Sequence, residues 1–320
     1  MKQSVNHSTA KIVRGYPHLN NVKKSIKLLH KRFSQQKLLM YAASLPPADI
    51  FINPSADIVI EVQRLAGRIA HYLGLPAGRI LVNFSPSLPC PAQVELSAAD
   101  DYLVCLHERY RFDRQDIPAL LSHEIIHIFL HRLNIEFPNV LDNEILTDTA
   151  TTYLGLGWPC LNAFRISVQD SLDFGYLGPR TLRRFSASKV GYLTPEEFAY
   201  VLAKRSLLFN ERIDRLLTLQ ARELYRQGLR MARREGRRPP FRRSLIWWRW
   251  LYLGRRWWIK RSRQTGKRSQ FADYRFEWAD GDMKVTFDCP VCCQKLRLPT
   301  ERRQIHLDCP SCQRSFSCRT

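Results

Sequence analysis

Apolar residues recur at helical spacing in several parts of the chain and predict its main helices. The window Ser55 to Leu73 carries them on one side of a helix that Gly74 would end, and the window Ile117 to Leu133 shows the same spacing. Val22 to Phe33 predicts a shorter amphipathic helix with a lysine-rich face. We expect the first two helices to build a core and the third to belong to a solvated, partly ordered extension.

Three short apolar runs between the first two of these helices predict strands. They are Arg79–Phe84, Gln93–Ser97 and Tyr102–His107. The second half of the chain, after Gly157-Trp158-Pro159, is predicted to be helical. Thr194 and Glu197 form a capping box that predicts a helix through about Phe209, and Asn210 is expected to cap another long helix towards Arg234. Strands and helices in this order predict an α+β fold.

The helix predicted from Ile117 to Leu133 contains the motif H-E-x-x-H. His123 and His127 are four residues apart, so both imidazoles project from one face and could share a zinc ion. Glu124 lies beside them and could take a proton from a zinc-bound water molecule. His131 is excluded as a third ligand because it would lie about 12 Å along the helix axis from His123. Ordinary core histidines on an apolar helix are the competing interpretation.

Glu144 is the best candidate for the third ligand. It lies beyond a predicted break at Phe137-Pro138-Asn139, on a second helix predicted from about Asp142 to Leu156. Asp148 follows one turn later on the same face, where it could accept a hydrogen bond from a metal-bound histidine. No glycine-broken H-E-x-x-H-x-x-G-x-x-H pattern is present, since the next histidine after His131 is His306.

The two motifs together resemble the gluzincin metallopeptidases, in which H-E-x-x-H is followed by N-E-x-x-[ST]-D. The resemblance covers roughly residues 95 to 160. It implies a zincin-like domain that hydrolyses peptide bonds, with His123, His127 and Glu144 as zinc ligands, Glu124 as general base and Asp148 as the partner of a ligand. The sheet before the motif helix also follows the zincin order, and its last strand, Tyr102–His107, is expected either to bind an extended peptide or simply to be buried.

No residue that would stabilise the transition state can be assigned from the sequence. The candidates are Tyr153, Tyr176, Tyr192 and His107, and ordinary packing is the simpler interpretation of each.

The chain has a net charge of +21, and the excess lies in two segments. Residues 1–48 carry nine basic and no acidic residues, and residues 226–268 carry sixteen basic residues with Glu235 as their one acid. The intervening residues 49–225 are mildly acidic. Such concentrated charge bears on binding partners rather than on fold.

The second basic segment is also rich in tryptophan, and three interpretations stay open. It could bind single-stranded nucleic acid by phosphate contacts and base stacking, or lie on an anionic membrane surface, or pack its tryptophans on the catalytic domain with its arginines in solvent. The candidate binding residues are Arg242, Arg243, Trp247, Trp248, Trp250, Arg255, Arg256, Trp257, Trp258, Lys260 and Arg261.

Two matched C-x-x-C pairs near the C-terminus predict a second, structural zinc site. The pairs are Cys289/Cys292 and Cys309/Cys312, a spacing typical of a tetrahedral zinc ribbon with each pair at the tip of a hairpin. Cys293 and Cys318 are expected to be spare. The chain should therefore bind two zinc ions, one catalytic and one structural.

These features predict a basic N-terminal arm (1–48), a zincin-like domain (49–235), a basic tryptophan-rich linker (236–270) and a zinc ribbon (271–320). No apolar segment typical of a signal peptide or a membrane span is visible, so we expect a cytoplasmic protein, associated with the nucleoid or a membrane surface if the basic segment binds there. The predicted function is zinc-dependent hydrolysis of a peptide or protein substrate. The alternatives are a non-catalytic zinc-binding adaptor for nucleic acid or membrane, and a DNA-recruited protease analogous to SprT-like proteins, from which the missing third histidine departs.

Overall fold

A computed structural model describes residues 13–76, 80–96, 101–175, 178–263, 273–301 and 304–320, and within 167–186 it describes the backbone alone. The elements combine α-helices with small sheets, in agreement with the predicted α+β class. In chain order they are α1 (Leu19–Arg32), α2 (Gln35–Leu39), α3 (Pro47–Ile50), α4 (Ile58–Tyr72), β1 (Ile80–Ser85), β2 (Ala92–Glu95), β3 (Tyr102–His107), α5 (Ile117–Arg132), α6 (Val140–Thr151), α7 (Gly157–Asn162), β4 (Arg165–Gly175), β5 (Gly178–Ser188), α8 (Pro195–Phe209), α9 (Leu219–Glu235), α10 (Ile246–Ser262), β6 (Tyr274–Ala279), β7 (Asp282–Asp288), β8 (Lys295–Pro299), β9 (Ile305–Asp308) and β10 (Ser315–Cys318).

The first sheet has the strand order β1-β3-β2, which corrects one expectation. β3 lies in the centre, pairing with β1 in parallel and with β2 in antiparallel orientation. Both edges of β3 are therefore occupied, and it cannot bind an extended peptide. Among the residues that the structure describes, β2 is the strand beside α5 whose outer edge has no paired strand.

Helix α5 runs through the middle of the larger core, in contact with α4, α6, α7 and β2. Apolar residues surround it, which explains why its sequence lacks a polar face. Asp116 occupies the N-cap position of α5, but its side chain does not cap the helix. It instead accepts two hydrogen bonds from Arg165, at 2.8 and 2.9 Å.

The N-terminal helix is part of the same core, so the expected solvated extension is wrong for these residues. Val22, Ile26 and Leu29 in α1 are fully buried, and the helix packs against α6. His30 reaches the hydroxyl of buried Tyr153 at 2.8 Å. The lysine-rich face predicted for this helix is therefore the outer face of an element that the core needs.

The helical half agrees with the sequence at its first helix and differs at its second. Thr194 and Glu197 form the predicted capping box of α8. Asn210 ends α8 with a φ of 55° rather than starting a new helix, and Thr218 caps α9. Asparagine suits either end of a helix, because it tolerates the left-handed conformation as well as accepting backbone hydrogen bonds.

A hairpin that the sequence did not predict, β4 with β5, leads the chain from α7 to the loop 189–194. The predicted second helix is interrupted as well. After α6 a π-helical segment, Thr152–Leu156, contains Gly155 at a φ of 99°, and α7 follows. The loop after β5 and the end of α6 then lie side by side, which brings residues 191–193 to Asp148.

The C-terminal region has a core of its own, larger than a zinc ribbon alone. The sheet β6-β7-β8 and the hairpin β9-β10 supply most of it. Helix α10 adds Tyr252 and Ile259, so the segment predicted as a linker is a helix packed on this module. Phe241 pairs with Cys318 and fixes the chain just before α10.

Candidate metal centres

Three side chains from α5 and α6 meet at the junction of the two helices. His123 Nε2 and His127 Nε2 are 3.1 Å apart, and each lies 3.2 Å from Glu144 Oε2. A tetrahedral zinc site with bonds of about 2.1 Å would separate its ligand atoms by about 3.4 Å. The three atoms are therefore close enough to share one metal ion, and His131 is exposed and outside the group.

The second nitrogen of each imidazole is held by a hydrogen bond, so that Nε2 is the atom that could bind a metal ion. His123 Nδ1 donates to Asp148 Oδ1 at 2.8 Å. His127 Nδ1 lies 3.3 Å from the hydroxyl of Thr147, which itself donates to the carbonyl of Asn143. That hydroxyl can then only accept, so Nδ1 is the donor in both rings and Nε2 faces the shared point, where a metal ion would take the place of a proton.

Thr147 is a site residue that sequence reasoning missed. It is the Ser/Thr of the N-E-x-x-[ST]-D pattern, and its position three residues after Glu144 could have suggested that it lies on the same helix face.

Asp148 is fixed from a second direction by the loop after β5. Its Oδ2 accepts the backbone N–H groups of Tyr192 and Leu193, at 2.6 and 3.0 Å. The approach requires Gly191, whose φ is 83° and at which an added Cβ would lie 2.6 Å from Asp148 Oδ1. No local pattern in the sequence connects Gly191 with Asp148, since the contact depends on how the β4–β5 hairpin returns the chain.

The electrostatics of the group favour a cation between its ligand atoms. Burial alone would raise the pKa of Glu144, but hydrogen bonds from His123 and His127 hold it well below its usual range. Burial likewise opposes charge on His123, yet the Asp148 carboxylate raises the pKa of that ring well above its ordinary value. A positive charge at the shared point is thus stabilised by the half-buried carboxylate of Glu144 and the buried carboxylate of Asp148.

Glu124 lies beside the ligands and is not one of the group. Its carboxyl is buried, and burial raises its pKa although His123 and His127 oppose the shift. It accepts a hydrogen bond from the backbone N–H of Val94, which connects it to β2. A carboxyl group with a raised pKa is suited to accept and return a proton near neutral pH.

Of the four residues that could stabilise the transition state, the three that the structure describes differ in their burial and in their distance from the ligand group. Tyr153 is fully buried and engaged with His30, which makes it a packing residue. His107 ends β3 and accepts the N–H of Arg109. Tyr192 stacks on His123 with 6.3 Å between ring centroids and is partly exposed. Tyr176 lies outside the described residues.

The four predicted cysteines form the second group. Cys289 Sγ lies 3.7 Å from Cys312 Sγ, and Cys292 Sγ lies 3.5 Å from Cys309 Sγ. Sulfur atoms around a tetrahedral zinc are expected about 3.8 Å apart. All four side chains are buried, so the quartet could enclose a metal ion from every side.

Both cysteine pairs sit at hairpin tips, as the sequence predicted, and the two tips have matched geometry. One lies between β7 and β8 and the other between β9 and β10. The residue after the second cysteine of each pair, Cys293 and Gln313, has a φ of 58° and 54°. Cys293 and Cys318 are buried outside the quartet.

The first tip also docks on the larger core. Buried Lys204 of α8 donates to the carbonyl of Pro290 and to Glu235, at 2.8 Å for the latter. Burial would raise the pKa of Glu235, but the ammonium groups of Lys204 and Lys23 hold it down at about 2. Cys293 packs with the apolar residues of the larger core. The spare cysteine therefore contributes to the contact between the two regions.

The basic aromatic residues lie on or just before α10 and face mainly outward. Trp247, Trp250, Trp257 and Trp258 are between 56% and 71% exposed, so the interpretation that these side chains pack on the catalytic domain is wrong. Trp248 is half-buried, with Arg238 over its ring. The basic residues at these positions are exposed or half-buried: Arg242, Arg243, Arg255, Arg256, Lys260 and Arg261.

No family model matches this chain, and neither a curated protein nor a solved structure is detectably similar to it. Among the helices of the described residues, none has the length and apolar character needed to cross a membrane. The function must therefore be argued from the two ligand groups and from the surface of α10.

Proposed function

We propose that this protein is a zinc-dependent peptidase whose reaction takes place at His123, His127 and Glu144. The observation that supports the proposal most strongly is the convergence of these three ligand atoms beside buried Glu124. Two imidazoles and one carboxylate suit zinc, and three protein ligands leave a position for water or substrate. The cysteine quartet would hold a second, structural zinc ion.

The residues around the site have distinct roles in this proposal. Zinc held there would polarise a water molecule and the carbonyl of the peptide bond. Glu124 takes the proton from the attacking water and returns it to the leaving amine, a transfer favoured by its raised pKa. Asp148 and Thr147 keep the two imidazoles oriented throughout.

Tyr192 is the best placed of the candidates to stabilise the transition state. Burial and the carboxylates of the site raise its pKa to about 12. Its hydroxyl is protonated at neutral pH, as in any tyrosine, and can donate a hydrogen bond. The developing negative charge on the carbonyl oxygen is the acceptor that such a donor would meet.

The edge of β2 is the proposed binding position for the substrate backbone. Val94 on this strand contacts Glu124, so the edge begins next to the proposed general base. An extended peptide added to β2 would bring one of its carbonyl groups towards Glu124 and the ligands. This replaces the role that the sequence suggested for β3.

The test compares Glu124→Gln with the wild type in metal content and in hydrolysis of denatured casein. We expect two zinc ions per chain in both proteins by elemental analysis. Activity should fall by about a thousandfold or more, since the variant lacks the proton acceptor. Glu223→Gln, which changes an exposed glutamate on α9, serves as the matched control and should retain full activity.

A Glu144→Ala variant tests the ligand assignment in the same assay. It should contain one zinc ion instead of two, because the cysteine quartet is unchanged. Hydrolysis that persists in metal-loaded Glu124→Gln would overturn the proposed mechanism. Two bound zinc ions without cleavage of any protein substrate would instead favour the non-catalytic adaptor.

A further inference from the structure

Helix α10 presents an apolar face to solvent. Ile246, Trp250, Leu253 and Trp257 follow one another at intervals of four, three and four residues, which places them in one stripe along the helix. Their exposed fractions are 78%, 71%, 38% and 62%. Trp247, Leu251 and Trp258 lie next to this stripe and are also exposed, so the apolar face extends over the whole helix.

The opposite face of α10 is fixed, so the apolar face cannot turn inward. Tyr252 is fully buried against the rings of Tyr274 and Phe276, with centroid distances of 5.0 and 5.1 Å. Ile259, two turns further on, is 1% exposed. The module therefore uses only a narrow side of the helix for its own core and holds the wide apolar side outward.

Positive charge surrounds the apolar face. Arg249, Arg256 and Lys260 lie along one margin at helical spacing, and Arg255 lies on the other side. Arg261 ends the stripe, with its guanidinium 5.5 Å from the ring centroid of Trp257. No acidic residue occurs between positions 236 and 272. The face thus has an apolar centre and a cationic margin.

We infer that α10 docks this protein on an anionic lipid surface. An apolar strip with Trp, Leu and Ile at its centre can enter the boundary between headgroups and acyl chains, while arginine and lysine at its margin reach lipid phosphates. Single-stranded nucleic acid would stack its bases on the tryptophans, but the exposed aliphatic residues Ile246, Leu251 and Leu253 offer no ring for stacking. A second copy would bring two cationic faces together, and in each of them the carboxylate of Glu301, 3.9 Å from Lys260, would offset only one charge.

The proposed helix lies in the plane of the surface and does not cross the bilayer. Its 17 residues extend about 25 Å, and basic residues occur along its length. Since α10 contributes no ligand to either metal group, the proposal is independent of peptidase activity. Vesicle binding by Glu124→Gln should equal that of the wild type, so either proposal can fail without the other.

The experiment measures binding of the full chain to vesicles of phosphatidylcholine alone and of phosphatidylcholine with phosphatidylglycerol. We expect co-sedimentation with the anionic vesicles, weakened by salt. Five of the seven tryptophans lie in α10, so their fluorescence reports on the helix. Their emission should shift to shorter wavelength and be quenched by lipids that carry bromine on the acyl chains.

The variant Trp250→Gln/Trp257→Gln removes two exposed side chains from the centre of the face and should weaken vesicle binding by about tenfold or more. Phe112→Gln/Leu219→Gln is the matched control, since these residues are 89% and 81% exposed but lie outside α10. It should bind vesicles like the wild type.

Three results would overturn the inference. One is an absence of binding to anionic vesicles at low salt. Another is binding of a single-stranded oligonucleotide that quenches the tryptophans while vesicles fail to compete. The third is a wild-type protein that forms a dimer and does not bind vesicles, while the Trp250→Gln/Trp257→Gln variant is a monomer.

Discussion

The two ligand groups differ in how the chain supports them. The cysteine quartet is closed, with four buried sulfur atoms from two hairpin tips. The His/Glu group is open, with three ligands from two long helices and side-chain exposures of 8%, 14% and 19% for His123, His127 and Glu144. A closed site leaves no position for a substrate, whereas an open one does.

The cores around the two ligand groups also differ. The His/Glu group is built on helices of the larger core, which consists mainly of large apolar side chains. The quartet lies in a smaller core, in which five of the fifteen buried residues are cysteines. We therefore expect a metal ion at the quartet to stabilise the fold of the C-terminal module, and a metal ion at the His/Glu group to take part in a reaction.

Loss of one cysteine should have the largest effect. Cys309→Ser is expected to remove one metal ion and unfold residues 273–320, because metal binding at such a site contributes on the order of 10 kcal/mol to folding. The larger core, which contains the His/Glu group, should keep a thermal unfolding transition of its own. Limited proteolysis and circular dichroism would detect the difference, with Cys105→Ser, a half-buried cysteine outside the quartet, as control. A variant that resists proteolysis like the wild type would show that the C-terminal module folds without a metal ion at the quartet.

We expect acid to destabilise the larger core through buried His30, which is not one of the candidate metal ligands. Burial lowers the pKa of His30 from 6.5 to about 4. Between these values the unfolded chain binds a proton that the folded chain does not. The free energy of unfolding should therefore fall as pH decreases from 6.5 to 4, by up to about 3 kcal/mol, and the contribution should be constant outside this window.

The measurement is chemical denaturation of the wild type and His30→Gln at several pH values. The variant can keep a hydrogen bond to Tyr153 but has no group that titrates here. The difference between the two proteins should grow towards neutral pH. Parallel curves from pH 4 to 7 would show that His30 does not contribute to acid sensitivity.

Local patterns identified which residues meet in both groups. H-E-x-x-H and C-x-x-C place ligands on one helix face or one hairpin tip, so their geometry follows from sequence separation alone. Glu144 and Asp148 could be added because one helix carries both. The capping box at Thr194 was equally local.

Features that depend on distant contacts could not be predicted. The central position of β3 results from a parallel pairing with β1 that no turn signal specifies. The burial of α1 depends on α6, more than a hundred residues away. The tryptophans on α10 face outward because Tyr252 and Ile259 pack inward from the other side of the helix. Both sides are apolar in the sequence, so the pattern alone does not show which side is buried.

The hydrogen bond from His123 to Asp148 should matter more for metal affinity than for stability. Asp148→Asn removes the negative charge next to the ligand, and we expect metal affinity at the His/Glu group to fall about 10- to 100-fold. Asp142→Asn on the same helix is the control, since its side chain pairs with Asn21 instead. Competition with a chromophoric chelator measures both, and equal affinities would contradict the role of Asp148.

The smallest expected effect is a difference in metal affinity between two threonine substitutions on α6. Thr147→Val removes the acceptor that orients His127, and metal affinity at the His/Glu group should fall by about tenfold or less. Thr149→Val removes a buried hydroxyl without a hydrogen-bond partner, so it should leave affinity unchanged and stability equal or higher. The two substitutions change the same atoms two residues apart on α6, on nearly opposite sides of the helix. If both lowered affinity equally, the cause would be altered packing of the helix, and the open site would depend on its scaffold rather than on the orientation of its ligands.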